Sequence, residues 1–318
     1  MSYGLLKGGG NQDSSPAAHP SPAAPFFCSK IESYLGLGLQ VRQAAGRLGS
    51  DMKQWWCFPV LLVIWFSLSS CAVHSGARSS ASSSSDVEFW RAVGVADVIY
   101  VGETHSDQRS HQYELDLIRE MMRHGIRFAV GWEMFDRGQQ ADLDRFDRRN
   151  LSLDELFAQT GFQTSWGRYS PLYAELLRTT QNGRIKNVAL NASPSLAHKL
   201  ARGEPLSPDE ENEIPKEFTV PAGAYENFVQ LLGDHPGMQP SDLSHFFSAQ
   251  NLWDQTMAKT ILEFRRKYPK TKLLVLTGRG HVKGGFGIPN YLSQKSSARQ
   301  LMLFPPAAGD LANGQKAI

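Results

Sequence analysis

Four short apolar runs punctuate this chain, at 98–101 (Val-Ile-Tyr-Val), 126–134, 185–191 and 272–277. Each is rich in β-branched, aromatic or leucine residues and too short to make a helix, the pattern of strands buried on both faces. Between them the apolar positions recur at helical spacing. Residues 106–124 carry Tyr113, Leu117, Ile118, Met121 and Met122 and stop at Gly125, while 241–268 place Leu243, Phe247, Met257, Ile261 and Phe264 on one stripe. Shorter helices are expected over 87–93, 136–149, 153–157 and 173–180, an aromatic loop over 160–173, and short helices in an insert over 194–240. Strands separated by helices predict an α/β fold: a largely parallel sheet with helices on both faces and a small helical insert. One feature breaks the pattern. Gln250 and Asp254, a turn apart, interrupt the apolar stripe of the last long helix, and burying them is costly unless they are hydrogen-bonded or used.

This pattern predicts a domain over 87–305, with a disordered tail expected over 306–318. Residues 1–51 are rich in Gly, Ser, Ala and Pro and lack any apolar period, as expected of a disordered or misassigned start. From Met52 the text changes: Lys53, then an apolar stretch from Trp55, then Leu68-Ser69-Ser70-Cys71. A charged residue, an apolar run too short for a comfortable span and a small-residue site make a bacterial signal peptide over 52–71. Its ending resembles a lipobox, so Cys71 is expected to carry the lipid, with 72–86 as a flexible Ser-rich tether. Ala72 after the Cys resembles lipoproteins sent to the outer membrane.

Composition narrows the chemistry. With 41% hydrophobic residues in 318 there is ample material for a core. The net charge of +2 comes from five Lys and Arg against three Asp and Glu up to Cys71, so the domain is balanced and offers no basic footprint for nucleic acid. Cys28, Cys57 and Cys71 all precede the domain. That excludes disulfides, thiolate nucleophiles and Cys-ligated metals within it.

Chemistry-bearing residues gather at strand ends. The first strand delivers Gly102-Glu103-Thr104-His105, the fourth Gly278-Arg279-Gly280-His281, and Glu133 closes the second. In open α/β sheets, ligands bind outside the carboxyl ends of the strands. Glu103, His105, Glu133 and His281 are therefore one candidate set, able to hold a divalent metal such as Zn or Mn and activate water for hydrolysis. Gln250, Asp254 and Arg279 would orient that set or neutralise its carboxylates.

Several of these motifs together resemble a known family. They are Gly102-Glu103-Thr104-His105 with His111 following, Glu133-Met134-Phe135 with Gln139-Gln140, Gln250 with Leu252-Trp253-Asp254 and Met257-Ala258, and Gly278-Arg279-Gly280-His281-Val282. In this order, over about 95–292, they are similar to the ChaN family of haem-binding lipoproteins. The wider superfamily includes Tiki-type metalloproteases, TraB-like proteins and erythromycin-esterase-like enzymes, in which paired Gly-x-x-His motifs and a strand-end Glu mark the cleft. The resemblance implies an α/β fold and a surface lipoprotein that takes up iron as haem, held in a pocket between two subunits of a homodimer. Haem needs a Tyr or His ligand, an apolar slot and cations for its propionates. The segment from Trp166 to Tyr173 supplies these types: Tyr169 as ligand, Arg168 for a propionate, Trp166 and Tyr173 as walls, with His111 nearby.

Overall fold

The computed structural model describes residues 84–232 and 240–305. The expected start, signal peptide with Cys71, tether up to residue 83 and tail from 306 lie outside the described residues, whereas 84–86, also expected as tether, are helical. Among the described residues five strands form one parallel sheet in the order β3-β2-β4-β1-β5. These are β1 (Val98–Glu103), β2 (Phe128–Asp136), β3 (Asn187–Asn191), β4 (Lys272–Gly278) and β5 (Gln300–Leu303). The helices are α1 (Ser84–Val95), α2 (Gln108–Arg123), α3 (Gln140–Asp147), α4 (Leu153–Gln159), α5 (Phe162–Trp166), α6 (Ser170–Asn182), α7 (Pro194–Arg202), α8 (Pro208–Glu213), α9 (Ala224–Leu232), α10 (Pro240–Lys267) and α11 (Ile288–Ser293).

Strand side chains alternate between two cores, as the period of two requires. Ile99, Val101, Val130, Trp132, Leu274 and Leu276 join the core beneath α2 and α4–α6. Val98, Tyr100, Ala129, Leu273 and Val275 join the core beneath α10 and α11. The chain thus leaves β1 and β2 toward one face and β3 and β4 toward the other. Because β4 lies between β1 and β2, its connection departs on the opposite side from both neighbours', which opens a crevice at their carboxyl ends. Strand register puts Glu103 beside Gly278, and Trp132, just before Glu133, beside Leu276, so the polar strand ends meet there.

The structure corrects several boundaries. The segment 160–173, expected as a loop, is helical: α5, a 3-10 turn over Gly167–Tyr169, and then α6, which begins at Ser170 rather than 173. Gly161, in a left-handed conformation (φ 64°), precedes α5, and Pro171 sits in the first turn of α6, so residues that read as loop markers are helix-start signals. The charged 136–149 helix is split into a 3-10 turn and α3, with Asp136 capping the turn. The short edge strand β5 was not foreseen. Its residues are half-buried or exposed, so no continuous apolar run announces it.

Candidate functional site

Each element that reaches the crevice contributes one polar group for a local reason. β1 ends in Glu103, and Asp107 then caps α2 by accepting from Arg109 N–H at 3.2 Å, which turns His111 and Glu114 inward on the first turns of the helix. Tyr173 arrives from α6, Glu133 from β2, Gln250 and Asp254 from α10, and His281 from the 3-10 turn after β4. Two glycines make the convergence possible. A Cβ on Gly278 would lie 3.0 Å from His105 Nε2, and one on Gly287 would lie 2.1 Å from the His281 carbonyl oxygen.

The groups form two linked halves. In one, His105 Nδ1 is 2.5 Å from Glu103 Oε1 and 2.9 Å from the Tyr173 hydroxyl, which itself donates to Glu103 Oε1 at 2.6 Å. The Nδ1 proton of His105 therefore goes to Glu103, which assigns Nε2 as its basic nitrogen. In the other half, His281 Nδ1 is 2.6 Å from Asp254 Oδ1, and the Gln250 amide nitrogen lies 2.8 Å from the same ring nitrogen. Glu133 joins the halves: Oε1 lies 3.3 Å from His281 Nε2 and 3.8 Å from His105 Nε2. Its other oxygen accepts from the Thr277 hydroxyl and the Gly278 N–H, both at 2.6 Å.

Burial sorts the charges. Burial lowers the His105 pKa to about 4, helped by His281 and His111 and opposed by Glu133, so it is neutral at pH 7. Burial acts on His281 in the same sense, but Glu133 and Asp254 overcome it and raise the ring to about 10. Glu133 is driven up by burial and pulled down further by His281, His105 and Thr277, so it ends well below the usual carboxylate range. Burial, reinforced by Glu114, raises Glu103 well above that range, and burial pushes Glu114 up to about 7. Asp254 is also raised by burial, against the pull of His281. A neutral imidazole thus stands beside an imidazolium–carboxylate pair, an arrangement able to take a proton at His105 and supply one from His281.

The structure brings Glu103, His105, Glu133 and His281 together with Asp254 and Gln250, and adds His111, Trp166 and Tyr173 to the same cluster. The Trp166 ring packs edge-on to His105 at 4.9 Å, and Tyr173 packs edge-on to His111 at 4.7 Å. Arg279 turns away, donating to the Pro305 carbonyl at 3.2 Å instead of meeting a carboxylate. Tyr169 is buried, with 8% of its surface exposed, and the side chain of Arg168 lies outside what is described. Sequence reasoning missed Glu114 and the tie from Tyr173 to Glu103. The signal for Glu114 was present, since it falls on the stripe of His111, Leu117, Ile118 and Met121.

Against Asp254 and Gln250 lies a small pocket of about 50 Å³, partly open to solvent, with Phe228, Leu231, Leu232, Phe247 and Phe286 among its walls. A scan against protein families matches residues 89–292 to one described as haem-binding uptake, Tiki superfamily, ChaN. The chain belongs to that family. A search of curated proteins returns no match. Among solved structures, the fold resembles "Cofacial heme binding to ChaN of Campylobacter jejuni", with a TM-score of 0.55 and 20% identity, covering 70% of this chain and 85% of the other. An erythromycin esterase mutant in its open conformation gives a TM-score of 0.42 at 14% identity over 69% and 72% of the two chains, too distant to carry an argument.

Haem is the group this family implies, and one chain meets its needs in part. The apolar pocket offers a wall for a porphyrin, but among the described residues its lining contains neither His nor Tyr. The rings of Trp166, Tyr169 and Tyr173 belong to the domain's own core, and none of them lines that pocket.

Proposed function

We propose that the protein binds haem, in a pocket that a second copy of the chain completes, and that it serves haem or iron uptake as a lipoprotein held at the bacterial outer membrane through Cys71. The family match over 89–292 carries this reading, because it spans every element that contributes to the crevice. The incompleteness of the pocket in one chain supports the dimer: an apolar wall without an axial ligand needs a partner surface. Tyr169 is the ligand we assign, on the side-chain type that haem iron accepts; its ring is buried at 8% exposure, so binding requires it to turn out of the core as the second copy docks. Arg168, its neighbour in sequence, is the cation we assign to a propionate. Titrating haemin into the purified protein tests the reading. The Soret band shifts and sharpens at a fixed stoichiometry, and Tyr169→Phe loses that shift. A spectrum that stays that of free haemin refutes it.

One observation favours a second, hydrolytic reading: neutral His105 and charged His281 face the same oxygen of Glu133. In that reading His105 accepts a proton from water and His281 donates to the leaving group. Turnover of ester or amide probes that disappears in His281→Ala, with no haemin binding, would place the activity here.

A further inference from the structure

The half of the cluster around Glu103 contains a group of atoms that neither haem binding nor hydrolysis uses. His111 Nε2 is 2.9 Å from the carbonyl oxygen of His105. A carbonyl only accepts, so Nε2 carries the proton and, in the neutral ring, Nδ1 is a bare lone pair. That lone pair faces two carboxylates, with Glu114 Oε2 at 3.1 Å and Glu103 Oε2 at 3.4 Å. Both glutamates are almost wholly buried, at 0% and 1% exposure. Glu103 Oε2 and Glu114 Oε1 accept no hydrogen bond, and among the described residues no Lys or Arg pairs with either glutamate, while the Tyr173 hydroxyl reaches Glu103 at Oε1. Burial raises both carboxyls, so a proton held between them is one way to neutralise the group; with both ionised, three acceptors converge without a donor, an arrangement that burial penalises.

A proton on Nδ1 would satisfy one of these two oxygens and leave the other. A divalent cation would satisfy both, and the ring nitrogen with them. Bonds of about 2.0–2.1 Å at tetrahedral angles set ligand atoms about 3.3 Å apart, close to the two measured edges. One ligand atom from each of Glu103, His111 and Glu114 lies within 4.8 Å of the others. The bond from His111 Nε2–H to a backbone carbonyl is also the support that metal-ligating histidines ordinarily have.

We propose that Glu103, His111 and Glu114 form a buried site for a first-row divalent cation such as Zn²⁺, separate from the haem pocket and from the Glu133–His281 pair. Imidazole and carboxylate ligands without thiolate suit Zn²⁺ or Mn²⁺. The site adjoins the reactive half directly. Glu103 Oε1 holds His105 Nδ1, and His111 holds the His105 carbonyl, so a cation here fixes the backbone and ring of His105 at once. Its role is positioning, and it stands whether or not haem binds.

The test is Zn²⁺ uptake by untagged protein stripped with chelator, read by a competing chromophoric chelator and by metal analysis after dialysis. The wild type is expected to retain one equivalent, and Glu114→Gln to weaken binding at least about tenfold, while Glu133→Gln binds as the wild type does. X-ray absorption of the loaded wild type should show one imidazole with oxygen ligands, which keeps the test decisive if Glu114→Gln does not fold. Failure of the wild type to retain zinc overturns the proposal. So does undiminished binding by folded Glu114→Gln, a loss in Glu133→Gln equal to that in Glu114→Gln, or a shell containing two or more imidazoles.

Discussion

Replacing Glu133 by Gln removes the charge that joins the two halves of the cluster while keeping its size. The carboxylate is 5% exposed, accepts two short hydrogen bonds at Oε2, and faces His281 at 3.3 Å. Breaking a buried pair by neutralising one partner costs about 3–5 kcal/mol, because the other charge is left uncompensated. Asp254 still faces His281, and a Gln oxygen can still accept from Gly278 N–H, so the lower end, about 3 kcal/mol, applies. For a domain of this size each kcal/mol moves the melting temperature by about 2–4 °C, so Glu133→Gln should melt about 6–12 °C lower. Differential scanning calorimetry at pH 7 measures this. A double-mutant cycle with His281→Gln isolates the pair, and the double variant should be less destabilised than the sum of the singles by about 1 kcal/mol or more. A melting temperature within about 2 °C of the wild type, or strict additivity, would refute the assignment of Glu133 as the junction.

Other consequences are separable. Tyr173→Phe removes the hydroxyl shared by Glu103 and His105 without opening a cavity, and should cost about 1–2 kcal/mol in chemical denaturation, with the slope unchanged. Gly278→Ala is compatible with its backbone (φ −57°) but pushes a methyl to within 3.0 Å of His105 Nε2, so NMR should show the His105 ring resonances shifted while the fold persists. Asp97 ties the start of β1 to Arg299 and Arg265; the hydrogen bond from Arg299, partly opposed by burial, holds its carboxyl below the ordinary 3.8. A depressed carboxyl stabilises the fold above its unfolded-state pKa and loses that contribution as pH falls through the folded value. The stability gap between wild type and Asp97→Asn should thus be about 0.5–1 kcal/mol at pH 7 and close as pH drops below 3.8. A gap that persists at pH 2 would contradict it.

The parts of this fold legible in sequence are those where a single physical demand fixes the text. β1 and β4 are buried on both faces, so they read as unbroken apolar runs, and the Gly-x-x-His that follows each points to the crevice. Gln250 and Asp254 were visible as a polar interruption of an apolar stripe, and they proved to be partners of His281. Legibility failed where two demands competed. Gly161, Gly167 and Pro171 signal breaks, yet helical starts use the same residues, and the aromatic segment between them is tied down by core packing that no local pattern records. β5 gains its place by pairing with β1 along one edge, which needs no apolar run. Glu114 lies on the buried stripe of α2, but an acid on a helix reads as solvated until tertiary structure sets Glu103 and His111 against it.

Native mass spectrometry of the purified protein with and without added haemin tests haem binding and dimerisation in one experiment, since mass reports cofactor and oligomer together. Haem is expected on a dimer of this chain, and Tyr169→Phe is expected to lower its occupancy. Haem retained by a monomer at full occupancy, or a protein that carries none under any loading, would contradict this expectation.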